Sequence, residues 1–303
     1  MVLMDHQADI LQLFEAILKR CQQQLGWHDA AMDPQDGVAF TLADHRFLAC
    51  TTLQEYRLSI LHALVGCRPV TPSCGPADCG IAIGVAGQAG WPDVPRWAEK
   101  CMQDPGLHLA LEDTPYRFLQ QPPGCWQVFD RRRHCGAQLL RSSTSLPPWD
   151  GGAPLRNFLH WQLISTSSGL LHAGTLGHQG QGILLAGPGG SGKSGTVLAG
   201  LLHGLQSVGD DYVLVRMEED IKAYPLFQTL KQDPGGCNRI GIPPDSSLRR
   251  RLNWQGKHQF RLADLGVQQP IESLRIRALC IPAISGAPST RFVPVNGKEA
   301  FLS

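Results

Sequence analysis

A chain of 303 residues has room for one large domain or two modest ones around a real apolar core, which excludes a disulfide-stapled miniprotein. Apolar residues at 43% and charged residues at 17% place it among globular chains rather than disordered ones. With Lys+Arg 27 against Asp+Glu 26 the net charge is +1, so no global field recruits nucleic acid or an anionic membrane, and any polyanion must be held locally.

Met1 to Asp5 carries neither a basic n-region nor an apolar h-region, and no run approaches the roughly 18 apolar residues of a membrane span, so a cytoplasmic chain is expected. Ile10, Leu11, Leu13, Phe14, Ile17 and Leu18 recur at helical spacing and predict an amphipathic helix between Asp5 and Leu25. Gly37 to Cys50 reads as strand-rich, Thr51 to Val65 as a helix, and the Gly-, Pro- and Ala-thick stretch from Cys67 to Pro95 as a loop or mobile insertion. Cys125 to Leu140 predicts a hairpin turning around Asp130 to Arg133. The run Arg131-Arg132-Arg133-His134 at its tip could grip a phosphate or carboxylate, or be simply solvated. Ten cysteines are scattered without a C-x-x-C pair, which suggests a reducing compartment and no zinc. Cys74 and Cys79 share a Pro/Gly loop as ordinary thiols, a bridge or half a metal site.

Ser142 to Pro154, with Pro147, Pro148, Gly151 and Gly152, reads as a linker. It divides the chain into an N-terminal α+β domain at 1–150 and a second domain at 151–303. Leu155 to Leu171 then predicts a helix and a turn, and Gly182 to Ala186 a short buried strand.

That strand runs into Gly187-Pro188-Gly189-Gly190-Ser191-Gly192-Lys193-Ser194, a complete G-x-x-x-x-G-K-S/T loop, with Gly195 next and a helix pattern from Thr196 to Leu205. Glycines let successive backbone N–H groups turn toward phosphate oxygens, and the helix presents its positive end to the same anion. Lys193 then reaches the β- and γ-phosphates of a bound nucleotide, and Ser194 binds Mg²⁺; the loop alone does not say kinase, ATPase or GTPase. No N-K-x-D guanine reader is present. Asp210 and Asp211 interrupt the strand-like run Gln206 to Val215; beside a triphosphate two adjacent carboxylates can divide labour, one toward Mg²⁺ and one toward the proton of an acceptor hydroxyl. His172 precedes Gly187 by 15 positions, room for a short strand, a turn through Gly177 to Gly182 and a second strand, so His172 is expected beside the two acids.

A His 15 positions before the loop, and an Asp-Asp pair 17 and 18 positions after its Lys, resemble the HPr kinase/phosphorylase catalytic domain. Ala153 to Trp161, His172-Ala173, Leu184 to Ser194 and Gly209 to Leu214 look still more like the HPr-kinase-related serine kinases of bacterial biosynthetic clusters. Tyr224 to Phe227 with Lys231, then Lys257, Leu279 to Pro282 and Thr290-Arg291 through Glu299-Ala300 continue the pattern. The resemblance implies an α/β P-loop kinase domain of the HPr kinase/PEP carboxykinase type. The implied activity is an ATP- and Mg²⁺-dependent serine kinase acting on a protein or peptide, such as a natural-product precursor. It also implies that Lys193 clamps the phosphates, Ser194 and Asp211 serve the metal, Asp210 is the general base, and His172 helps to organise it.

The sequence departs from that pattern at Ser194-Gly195-Thr196, where Ser-Thr is usual. It departs again at Arg239-Ile240-Gly241-Ile242, where Cys237 stands in place of the expected Glu, so neither HPr recognition nor phosphorolysis is carried over. The alternative is a nucleotide-binding regulatory or scaffold protein that has lost transfer. ATP hydrolysis alone would leave the paired acids without an obvious role. No nucleic-acid or membrane partner is expected, and homo-oligomerisation is left open.

Overall fold

The computed structural model describes residues 2–26, 36–70, 77–122, 124–165, 167–249, 252–266, 271–284 and 289–297. It is an α/β structure of two compact units, Met1–Leu163 and Ile164–Ser303. Among the described residues no helix is long and apolar enough to cross a membrane.

The first unit opens with α1 (Val2–Gln24), followed by β1 (Gly37–Leu42), β2 (His45–Thr51), α2 (Gln54–Ala63), β3 (Arg68–Pro69) and β4 (Cys79–Val85). It continues through α3 (Arg96–Met102), α4 (Gly106–Ala110), β5 (Tyr116–Gln121), β6 (Cys125–Asp130), β7 (Cys135–Leu140) and α5 (Arg156–Leu163). Its strands form one seven-stranded sheet in the order β3-β1-β2-β4-β7-β6-β5, parallel where β4 meets β2 and β7 and antiparallel elsewhere. The helical spacing read in α1 is its buried stripe: Ile10, Phe14, Ile17, Leu18 and Cys21 are fully buried in the core that includes Ala82, Trp126, Val128 and Leu139 of the sheet. Burying each such large side chain contributes about 1.5–3 kcal/mol, so the stripe fixes the helix on the sheet far more firmly than helix propensity could. The hairpin of β6 and β7 turns where the sequence predicts. At its tip Arg131, Arg132 and Arg133 are exposed, and Arg133 reaches Glu15 at 2.9 Å and Asp130 at 3.1 Å.

Three expectations are corrected in this region. Within Cys67 to Pro95, expected to be a loop or a mobile insertion, residues 79–85 form β4, buried at all seven positions in the middle of the sheet. A strand covered on both faces shows no alternation, and its Gly84 serves packing, since a Cβ there would stand 2.0 Å from the Trp91 indole nitrogen. Cys79 lies in this strand with no exposure, while Cys74 lies outside the described residues; the nine described cysteines are free thiols. The segment 142–154 is not a linker either. Asp150 and Ala153 are buried, and the Asp150 carboxylate accepts hydrogen bonds from Tyr56 Oη at 2.8 Å and Gln138 Nε2 at 3.2 Å. The first unit therefore runs to Leu163, past the boundary expected near 150, and takes in α5, whose Phe158 meets Phe129 edge-on at 6.4 Å. Lastly, the turn expected after that helix is in part a strand, β8 (Ser168–Leu171).

The second unit comprises β8 (Ser168–Leu171), β9 (Gly174–His178), β10 (Gln181–Leu185), α6 (Lys193–Leu202), β11 (Val213–Met217) and β12 (Ile221–Tyr224). After these come β13 (Thr229–Gln232), α7 (Pro234–Arg239), β14 (His258–Arg261), a 3-10 turn at Leu262–Leu265 and β15 (Leu274–Cys280). Six strands form a mixed sheet in the order β8-β11-β12-β15-β10-β9, with β10 parallel to β15 and the other pairs antiparallel; β13 and β14 form a separate ribbon. Val197, Leu198 and Leu201 of α6 share a buried cluster with Leu176 and Leu185 of the sheet and Leu230 and Phe260 of the ribbon. That cluster holds the start of α6 against the end of β10.

Candidate functional site

Hairpin register carries the sequence-predicted residues to one end of the sheet. In β9–β10 the last residue of β10 pairs with the first of β9, Leu185 with Gly174, and in β8–β11 Leu171 pairs with Val213. The glycine-rich loop leaves the carboxyl end of β10, His172 leaves that of β8, and the two acids enter β11 at its amino end. Segment 206–209 is held along β9 by Gly177 N–H to Gln206 O at 2.8 Å and Thr175 N–H to Gly209 O at 3.1 Å. Asp210 is thereby delivered next to the loop.

The loop has the form that its sequence demands. Gly190 and Gly192 hold φ of 84° and 103°, conformations that cost other residues about 1 kcal/mol or more. A Cβ on Gly189 or Gly190 would meet nothing within 4 Å, so the backbone there borders open space. Gly192 caps α6, whose first turn carries no acidic residue to compete for its positive end. Lys193 is 6% exposed and donates to the loop's own carbonyls, Gly187 O at 2.8 Å and Pro188 O at 3.0 Å.

The two adjacent acids stand in different surroundings. Asp210 is 2% exposed and accepts a hydrogen bond from the Ser194 hydroxyl, while its Oδ1 has no partner among the described residues. Burial pushes its carboxyl above the ordinary value, against the Ser194 hydrogen bond, which favours the charge. Asp211 lies at the centre of a three-residue turn closed by Tyr212 N–H to Asp210 O at 3.0 Å, with its own φ at 74°. Its Oδ2 accepts from Lys231 Nζ at 2.8 Å, and its Oδ1 is 3.3 Å from His172 Nε2. Burial works against this charge too, but the hydrogen bond from His172 and the ammonium of Lys231 outweigh it and hold the carboxyl well below the usual carboxylate range. His172 is thus beside Asp211, as its spacing predicts, and its ring lies 5.3 Å from that of Tyr212.

These groups line one cleft of about 760 Å³, whose far wall comes from the ribbon and from α7. The sequence pattern included Lys231 and Lys257 but gave them no task; both line the cleft, together with Gln232, Asp233 and Arg239. A lysine inside a short, mostly buried strand carries no local signal of a carboxylate partner 20 residues away, so only the fold reveals that pair. Two buried polar atoms in or beside the loop, Ser191 Oγ and Asp210 Oδ1, lack partners among the described residues, a pattern that in native structures calls for a bound group or water. The donor set suits a nucleotide polyphosphate and a hard cation: backbone amides and an ammonium for anionic oxygens, a hydroxyl and a carboxylate for Mg²⁺. No family model matches the chain, and no curated protein matches it significantly.

Proposed function

We propose that the second unit is an ATP- and Mg²⁺-dependent phosphotransferase of the HPr-kinase-related, P-loop type, transferring phosphoryl to a serine hydroxyl of a protein or peptide. One observation carries this reading: a complete phosphate loop whose Ser194 is hydrogen-bonded to a buried acid with a free oxygen, next to a second acid held ionised by a lysine and a histidine. Bound MgATP would supply an electrophilic terminal phosphoryl group with part of its charge neutralised.

The residues divide the work by their environments. Loop amides and Lys193 hold the phosphates. Ser194 and Asp210 serve the metal side, since a hydroxyl and a buried carboxylate with a spare oxygen are the hard donors nearest the loop. Asp211, with a side chain 28% exposed, faces the acceptor and takes its hydroxyl proton. This assignment exchanges the two acids relative to the roles that the family resemblance implies. A carboxylate held so firmly ionised is a weak base, which suits a loose phosphoryl-transfer transition state where positioning the hydroxyl matters more than early proton removal. His172 orients Asp211 from its other oxygen.

The test is calorimetric titration of MgATP into the wild type and Lys193→Ala, followed by γ-labelled ATP with a serine-peptide library. Binding to the wild type that is lost in Lys193→Ala, together with label on serine, is the expected result. Equal affinities would remove the loop from the site.

A further inference from the structure

Lys231 does more than neutralise Asp211. Its ammonium carries three N–H donors, and among the described residues it gives only one of them, to Asp211 Oδ2 at 2.8 Å. The side chain is 13% exposed and lines the cleft, so two donors of a mostly buried cation are without a protein acceptor among the described residues. Holding a cation this way is costly unless its remaining hydrogens find acceptors. Its place along the site says which acceptors. Lys231 bonds Asp211, Asp211 adjoins Asp210, and Asp210 bonds Ser194 at the end of the loop where β- and γ-phosphates are held. Lys193 stands on the loop side of this chain of contacts, and Lys231 on the ribbon side.

We infer that Lys231 is a second phosphate-binding cation, which uses its spare donors to bind the anionic oxygens of the nucleotide's terminal phosphate while it keeps its bond to Asp211. It would thereby tie the acceptor-facing acid to the group being transferred and distinguish a nucleoside triphosphate from a diphosphate. This rests on the nucleotide reading of the cleft.

The measurement is the ratio of ADP to ATP dissociation constants, both with Mg²⁺, by calorimetry. In Lys231→Met the ratio should fall about tenfold or more, through weaker ATP binding with ADP little changed, and Lys231→Arg should restore most of it. Removing Lys231 also uncovers the negative charge of Asp211, so the deciding comparison is made in an Asp211→Asn background. There Lys231→Met should still lower the ratio, whereas an unchanged ratio would show that Lys231 acts only by neutralising Asp211 and would overturn the inference. Should Lys231→Met lack a cooperative unfolding transition, Lys231→Gln is judged by the same ratio. A wild type that binds ATP with an unmoved ratio in the variants defeats this inference alone; a wild type that binds neither nucleotide defeats the phosphotransferase reading with it.

Discussion

Each unit contains a carboxylate that burial pushes above its ordinary pKa, against hydrogen bonds from its neighbours. In the first unit Asp150 is raised to about 6 by burial, against hydrogen bonds from Tyr56 and Gln138 that favour its charge. The network continues from Gln127 Nε2 to Gln138 Oε1 at 2.7 Å, and from Asn157 Nδ2 to Gln127 Oε1 at 2.6 Å. In the second unit Asp210 is as deeply buried, yet one of its oxygens is left without a partner at the edge of a cleft. The difference separates architecture from a site. Where a buried acid ties strand, helix and loop together it holds a fold in register. Where it keeps an open valence beside a glycine-rich loop it leaves room for the ligand proposed above.

The largest effect should come from the cleft. Asp211→Asn keeps shape and tolerates the positive φ, but cannot accept a proton; it should lower phosphoryl transfer by about 10²–10⁴ with MgATP affinity retained. Asp210→Asn should instead show its defect in Mg²⁺ dependence, with saturation shifted to higher metal concentration. The reverse pattern in transfer assays with titrated Mg²⁺ would restore the roles that the resemblance implies.

Acid dependence sharpens the contrast further. Asp150 has a raised folded pKa, so the folded state holds its proton more tightly than the unfolded chain. Its ionisation costs stability as pH rises through about 6, and acidification from pH 7 toward 4 should gain up to about 3 kcal/mol from this group. Asp211, with a depressed pKa, has the opposite sign: its contribution is present above the unfolded carboxylate value near 3.9 and is lost as pH falls through its folded value. Urea unfolding across pH, taken as the difference between wild type and Asp150→Asn, should show the first slope disappear. A difference that is flat with pH would mean that Asp150 is not buried in its protonated form. The smallest effect belongs to Tyr56→Phe, which deletes one donor to Asp150 and should cost about 1–3 kcal/mol while leaving nucleotide affinity unchanged. A loss of nucleotide binding in that variant would break the division between fold and site.

Much of this contrast can be read from the sequence, and unevenly. The phosphate loop between β10 and α6, the stripe of α1 and the hairpin of β6 and β7 all rest on local chemistry, which periodicity and glycine spacing report directly. His172 is found because two short strands and a turn leave little freedom over 15 residues. Buried strand β4 is hidden in part because its Gly84 is required by the Trp91 ring, which composition alone does not show. Asp150 is hidden in a Pro- and Gly-rich stretch because its partner Tyr56 lies 94 positions away. Lys231 and the unequal surroundings of the two acids are likewise properties of contacts between distant segments.

The bonds from Lys193 to Gly187 O and Pro188 O have a consequence for kinetics. They keep the loop wound around a cation of its own, so docking of the proposed nucleotide would exchange one set of acceptors for another instead of ordering a slack backbone. Association with such a ready-made cradle needs little rearrangement and should proceed at the rate of a preformed site. On the proposed reading, discrimination among anions would then reside in how fast each one leaves, since on its departure Lys193 has the same two carbonyls at hand to accept its hydrogens again.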